Sequence, residues 1–158
     1  TLARADKLLF TKSLPLGVVR LTEGKITCSS MEEKILRELQ AVQGELANNA
    51  FLPFLENAVL VGTAGTATTL AAISLKMTDY DYRLVNNYVI GLDEIKEIFL
   101  MLLPMTPEER LEVPGMEKGR EDLIIAGTLI TLKTMEIFGF QSLKVSDFGL
   151  LEGVLLSV

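Results

Sequence analysis

Apolar residues recur along this chain with two different spacings, and each change of spacing marks the border of an element. Met31, Ile35, Leu39, Val42 and Leu46 repeat every three or four residues, which is one face of an α-helix. Ser30 with Glu33 three positions on is a capping-box signature, so a helix is predicted from there to Asn48 or Asn49. Ahead of it, Lys7 to Leu14 and Gly17 to Thr22 are β-compatible and apolar, with Pro15 and Gly17 bending the path. They predict one long bent strand or two short ones. Thr1 to Arg4 is expected to pair with Lys7 to Thr11 across a turn at Ala5 and Asp6.

The next apolar run, Val59, Leu60 and Val61, breaks into Gly62-Thr63-Ala64-Gly65-Thr66-Ala67-Thr68-Thr69 and resumes as Leu70 to Ile73. A strand at Ala58 to Val61, a small-residue turn and a helix from Thr68 to Leu75 are predicted. Two glycines let the backbone turn tightly and approach a ligand. The hydroxyls of Thr66, Thr68 and Thr69 can cap the helix that follows. A phosphate suits such a place, because helix N-termini present free N–H groups. Packing of helix on sheet makes the same demand for glycine, so both readings stand at this point.

Lys76 to Tyr82 reads as a loop, and Tyr88 to Ile90 as a short apolar run stopped by Gly91. Asp93 to Leu103 is an amphipathic helix that ends before Pro104. Thr106-Pro107-Glu108-Glu109 places a capping threonine, a first-position proline and first-turn acids at the start of a short helix. Gly119 to Phe138 reads as one long helix, apolar over most of its surface and so buried on more than one side, with Gly139 as its C-cap. Leu143 to Val145 predicts a strand, Ser146 to Gly149 a turn and Leu150 to Leu156 a last helix. Strands followed by alternating strands and helices predict a single α/β domain over residues 1 to 158, with a central mixed sheet flanked by helices. One half of an actin-like, ribonuclease H-like fold fits this order.

Composition narrows the chemistry. The chain has 158 residues, a net charge of −6, one cysteine and no histidine. An acidic chain argues against a nucleic-acid-binding face, and the lack of histidine removes the commonest general base and the histidine-assisted nucleophiles. Cys28 without a second thiol or imidazole makes zinc an unsuitable metal, and it reads as a small structural residue. No apolar run reaches the roughly 20 residues of a membrane span, and Thr1 to Lys12 lacks the features of a signal peptide. A cytoplasmic location is therefore expected. Glu108, Glu109, Glu112 and Glu117 read as a solvated acidic face, and the scattered methionines as core filler. Asp147 is expected to cap the last helix, with Glu152 in its first turn.

Four segments taken together resemble the exopolyphosphatase and guanosine pentaphosphate phosphohydrolase family of the actin/hexokinase-like phosphotransferases. They are Ser13-Leu14-Pro15-Leu16-Gly17-Val18-Val19-Arg20-Leu21-Thr22-Glu23, the turn from Gly62 to Leu70, Arg120 through Gly127, and Val145-Ser146-Asp147-Phe148-Gly149-Leu150-Leu151-Glu152-Gly153. Their order spans nearly the whole chain. The Ser13 to Glu23 segment fits this family better than the sugar and acetate kinases that share the fold.

The resemblance implies two domains facing a cleft that holds phosphate chains and a divalent metal, of which this chain looks like the second, C-terminal one. The first domain, its phosphate loop and the glutamate thought to activate water are absent from the sequence. So is the second phosphate loop, an aspartate before a triple glycine, expected just ahead of Thr1. Magnesium is accordingly expected in the full-length enzyme, with no catalytic or metal-binding residue in this piece, which should be inactive alone. The parent is expected to hydrolyse phosphoanhydride bonds of inorganic polyphosphate or guanosine pentaphosphate, the latter a role in the stringent response. The alternative is a non-catalytic module that senses guanosine tetraphosphate.

By resemblance, Gly62, Thr63, Gly65, Thr66 and Arg120 would bind phosphate or nucleotide. A guanidinium suits phosphate by its two parallel donors, although Arg120 could equally pair with Glu117, Glu121 or Asp122. Arg20 is expected to pair with Glu23 or a helix acid. The partners implied are the phosphorylated ligand, the missing N-terminal domain and a second copy in a homodimer, with no nucleic acid and no membrane. Two departures from the family pattern stand out. Ala64 replaces a usual glycine, at little cost if its φ is negative, and Asn86 and Asn87 stand near a usual histidine and glycine.

Overall fold

In the computed structural model, which describes residues 1–5, 7–23 and 27–156 (for residues 150, 151 and 156 the backbone only), the chain builds two separate small sheets and a layer of helices. Strands β1 (Leu2–Arg4) and β2 (Lys7–Phe10) form the expected antiparallel hairpin. Asp6, assigned to its turn, lies outside the described residues. The second sheet has β3 (Val61–Thr63), β4 (Val89–Gly91) and β5 (Ser142–Ser146) in the order β3-β5-β4. β3 runs parallel to β5 and β4 antiparallel to it, so the sheet is mixed, as expected.

The segment read as a second strand is helical. Helix α1 (Val18–Glu23) starts with the Leu21 N–H donating to the Gly17 carbonyl at 3.1 Å. Leu21 is fully buried in a cluster with Ile35, Leu39, Ala126 and Leu129. Burying that one side chain against a helix layer outweighs the β preference of Val18 and Val19, since such preferences are weak beside packing. Arg20 is exposed and, among the described residues, has no ion pair, contrary to expectation.

Helix α2 (Cys28–Asn48) begins one turn earlier than its apolar stripe suggests. Its cap is Thr27, whose hydroxyl accepts from the Ser30 N–H at 3.3 Å, and not Ser30. The stripe Ile35, Leu39, Val42 and Leu46 is buried as predicted. A 3-10 turn at Leu52–Leu55 leads to β3. Helices α3 (Ala64–Ser74), the short α4 (Tyr82–Val85), α5 (Leu92–Leu102) and α6 (Pro107–Leu111) follow. α4 falls at the end of a segment read as loop, and α6 has the reciprocal Thr106–Glu109 capping box.

Helix α7 (Ile124–Phe138) is the centre of the domain. Its residues Ile124 to Leu129, with Leu132 and Met135, are buried, and it packs against α1, α2, α3 and α5. An all-round apolar helix has to be enclosed in this way. It is shorter than its sequence pattern: Gly119 has φ +87°, a left-handed conformation that an α-helix cannot contain. Residues 119–123 form turns, and Arg120 stands before the helix. Gly139, with φ +78°, is the expected C-cap. Lys133 of α7 pairs with Glu32 of α2 at 2.7 Å and with Glu136 at 2.9 Å, and Gln43 of α2 donates to the Ile137 carbonyl at 3.1 Å. Helix α8 (Leu150–Leu156) closes the described chain.

Candidate functional site

Because β3 and β5 are parallel and in register, with Thr63 beside Ser146, their carboxyl ends lie side by side. In open α/β sheets ligands bind in the crevice at such ends. β3 passes straight into α3, and the residue after β5 is Asp147. Gly62 is what lets β3 lie close to its neighbours: a Cβ there would come 3.0 Å from Leu143 Cδ1 and 3.1 Å from Ala67 Cβ.

Helix α3 begins four residues earlier than the expected Thr68. Thr66, Thr68 and Thr69 are thereby inside the helix and none caps it. The Thr68 hydroxyl turns back to the Gly65 and Ala64 carbonyls at 3.3 and 3.4 Å. The buried Thr69 hydroxyl has no partner within the described chain. The N-cap is Thr63, whose side chain makes no capping bond. The first N–H groups of a helix have no partner inside it, so at α3 the chain's own side chains leave them available to an outside acceptor. Ala64 has φ +65°. The condition under which the replacement of glycine would cost little is not met: the backbone takes the left-handed turn that glycine allows freely, and alanine bears it at a steric cost. Asn87, at φ +69°, stands in the same conformation, which asparagine tolerates better than most residues.

Arg120 reaches this turn from the other side. A Cβ built on Gly65 would fall 2.3 Å from the Arg120 guanidinium carbon and 2.5 and 2.7 Å from its terminal nitrogens. The guanidinium therefore lies directly on the backbone of the first turn of α3, where the helix dipole is also positive. Two positive groups meeting at one place favour an anion between them. Of the three acids that could pair with Arg120, only Glu117 does, Oε2 to Nε at 3.6 Å. Glu121 instead accepts from the Gly119 N–H at 2.6 Å. Asp122 is the acid near Arg110, whose guanidinium is pushed down by desolvation with only partial relief from that charge.

A cleft of about 420 Å³ opens over the turn. Gly65, Thr68, Tyr80, Glu117, Arg120 and Asp147 line it, together with apolar Ala64, Ala72, Met77 and Met116. Gly115, at φ +91°, brings the Met116 loop onto α3 so closely that a Cβ would sit 2.3 Å from the Ala72 carbonyl carbon. The Tyr80 hydroxyl donates to Asp147 Oδ1 at 2.5 Å, and Asn86 Oδ1 accepts from the Asp147 N–H at 3.2 Å. Asp147 therefore faces the cleft, three positions ahead of the first residue of α8, and Glu152 takes the Gly149 N–H at 2.7 Å from the first turn of that helix. Desolvation, and then the bond and charge of Asp147, push the Tyr80 phenol well above its usual range.

Of the residues assigned to phosphate by resemblance, Gly65 and Arg120 line the cleft. Thr63 is exposed at the end of β3. Gly62 faces Leu143 and Ala67, and Thr66 lies under α7, where a Cβ on Gly127 would meet its Oγ1 at 2.3 Å. Tyr80 was not singled out by sequence because its loop carries no local motif. Asp147 lay in a matched segment but looked like a cap. Glu117 reads from the sequence as part of a solvated acidic face and as a possible partner of Arg120. Among the described residues no three Cys, Asp or Glu come together as a metal cage.

Residues 2–158 match the Ppx/GppA phosphatase family. Exopolyphosphatase 2 of Mycobacterium tuberculosis is 30% identical over 156 residues, covering 92% of this chain and 48% of that protein. The crystal structure of the Aquifex aeolicus family member superposes with a TM-score of 0.76 at 35% identity, over 98% of this chain and 50% of that one. An exopolyphosphatase from Cytophaga hutchinsonii shares the fold, with a TM-score of 0.77 at 22% identity, over 96% of this chain and 50% of that one. The chain spans about half the length of the curated relatives it matches. These likenesses bear out the actin-like α/β class.

Proposed function

The chain belongs to the Ppx/GppA phosphatase family, and on that premise we propose that it is the C-terminal half of a two-domain phosphatase whose cleft takes a phosphate chain against Gly65 and Arg120. The observation that carries this reading is the guanidinium of Arg120 resting on the first turn of α3. Fork-shaped donors and free helix N–H groups both select phosphate oxygens. The parent enzyme hydrolyses phosphoanhydride bonds of inorganic polyphosphate or guanosine pentaphosphate in the cytoplasm. Magnesium and the group that activates water belong to residues outside this sequence, so the isolated chain binds without turnover. No helix among the described residues is long and apolar enough to cross a membrane.

The test is phosphate release by the full-length gene product with magnesium, from long-chain polyphosphate and from guanosine pentaphosphate. Release from either supports the reading, and release from neither refutes it. A second reading is a non-catalytic sensor of guanosine tetraphosphate; the apolar wall that Ala72, Met77 and Met116 give the cleft suits a nucleobase, which inorganic polyphosphate lacks, and so supports a guanosine nucleotide in either reading. Micromolar calorimetric binding of guanosine tetraphosphate, with no turnover by the full-length protein, supports the sensor.

A further inference from the structure

Glu117 has no place in the reading above, yet it is the one acid, among the described residues, in ion-pair range of the arginine that the reading depends on. The Arg120 N–H donates to the Glu117 carbonyl at 3.0 Å, so one backbone turn fixes both side chains on the same side of the loop. Gly119 inside that turn, at φ +87°, and the Gly119 N–H bond to Glu121 keep the turn in shape. The Glu117 side chain is 62% exposed and that of Arg120 is 40% exposed. An exposed pair of this length contributes little to stability. Its position, however, puts a carboxylate where the second partner of the guanidinium would stand.

We infer that Glu117 is an internal competitor of the bound phosphate: it holds the Arg120 guanidinium over Gly65 and has to give way, or be tolerated as a like charge, when phosphate binds. This rests on the proposed phosphate reading. Asp147 does not share the role, because its carboxylate takes the Tyr80 hydroxyl and it is in no ion pair with Arg120. Glu117 thus acts through Arg120 as a positioning residue, and it lowers the affinity of the cleft for phosphate. Its repulsion grows with the number of charges on the ligand and weakens as salt screens it.

Calorimetric titration of the full-length gene product, without magnesium so that no turnover intervenes, with inorganic tripolyphosphate and with orthophosphate, at low and at high salt, tests this in four forms: wild type, Glu117→Gln, Arg120→Ala and the double variant. Glu117→Gln should tighten tripolyphosphate binding roughly two- to fivefold, as expected for one nearby exposed charge. The gain should be larger for tripolyphosphate than for orthophosphate and smaller at high salt, and in the Arg120→Ala background it should shrink to the part due to direct charge repulsion. A role confined to holding the loop would not follow ligand charge. Unchanged or weaker binding by Glu117→Gln, with Arg120→Ala still impaired, overturns the inference and leaves the phosphate reading intact. Wild-type binding that is absent, or untouched by Arg120→Ala, overturns both. Glu117→Ala repeats the comparison if the glutamine variant does not fold.

Discussion

The guanidinium carbon of Arg120 lies 2.3 Å from the point where a side chain at Gly65 would begin. Gly65→Ala therefore cannot leave Arg120 where it is. Since the guanidinium is the far end of a flexible side chain, it swings away at little cost and the helix keeps its fold. The expected outcome is a thermal midpoint near that of wild type with tripolyphosphate binding about tenfold weaker, the loss of one good charge-assisted contact. Melting curves and calorimetry on the same sample check both halves.

Ala64 bears a φ of +65° at the start of α3. Ala64→Gly removes the clash between Cβ and carbonyl, while adding freedom to the unfolded chain. The first effect wins by about 0.5–1 kcal/mol, or about 1–4 °C in midpoint for a chain of this size. Denaturant unfolding should show the same gain without a change in slope.

Gly127 and Thr66 fix how closely α7 crosses α3. A Cβ at Gly127 would meet Thr66 Oγ1 at 2.3 Å and Cγ2 at 2.7 Å. Gly127→Ala should destabilise by about 1–3 kcal/mol through overpacking. Adding Thr66→Ala should restore most of that loss, which a double-mutant cycle measures.

Much of this fold was legible because its signals are local. The buried stripe of α2, the Thr106 cap with Pro107 and the αL glycine at 139 each depend on residues within a turn or two of one another. The errors have a common cause in long-range packing. Leu21 is drawn into the α2–α7 cluster and makes a helix of a β-rich segment. Gly119 ends the apparent long helix only because its backbone is left-handed. At the candidate site, Gly65 and Arg120 could be named by resemblance, but Tyr80 meets Asp147 across 67 residues, and no spacing rule reveals such a pair. The roles of Gly62 and Thr66 follow from what faces them, Leu143 and Gly127, which only the folded chain shows.

The Tyr80 phenol is raised above its usual value of 10.0, first by desolvation and then by Asp147. The fold thus favours the protonated form. Its contribution to stability is present below about pH 10 and is lost as pH rises through the higher folded-state value. Subtracting the alkaline absorbance titration of Tyr80→Phe from that of wild type should show one phenol ionising above pH 10. The variant's stability should also be less sensitive to pH in that range.

The most direct test of the central claim is an amide ¹H–¹⁵N titration of the 158-residue chain with tripolyphosphate. If phosphate sits on the first turn of α3, the N–H signals of Gly65, Thr66 and Ala67 and the Arg120 Nε–H signal should shift together with one dissociation constant, and Arg120→Ala should raise that constant about tenfold for the Gly65, Thr66 and Ala67 shifts. Shifts confined to other surfaces, or shifts at Gly65 whose dissociation constant is unchanged in Arg120→Ala, would contradict the account.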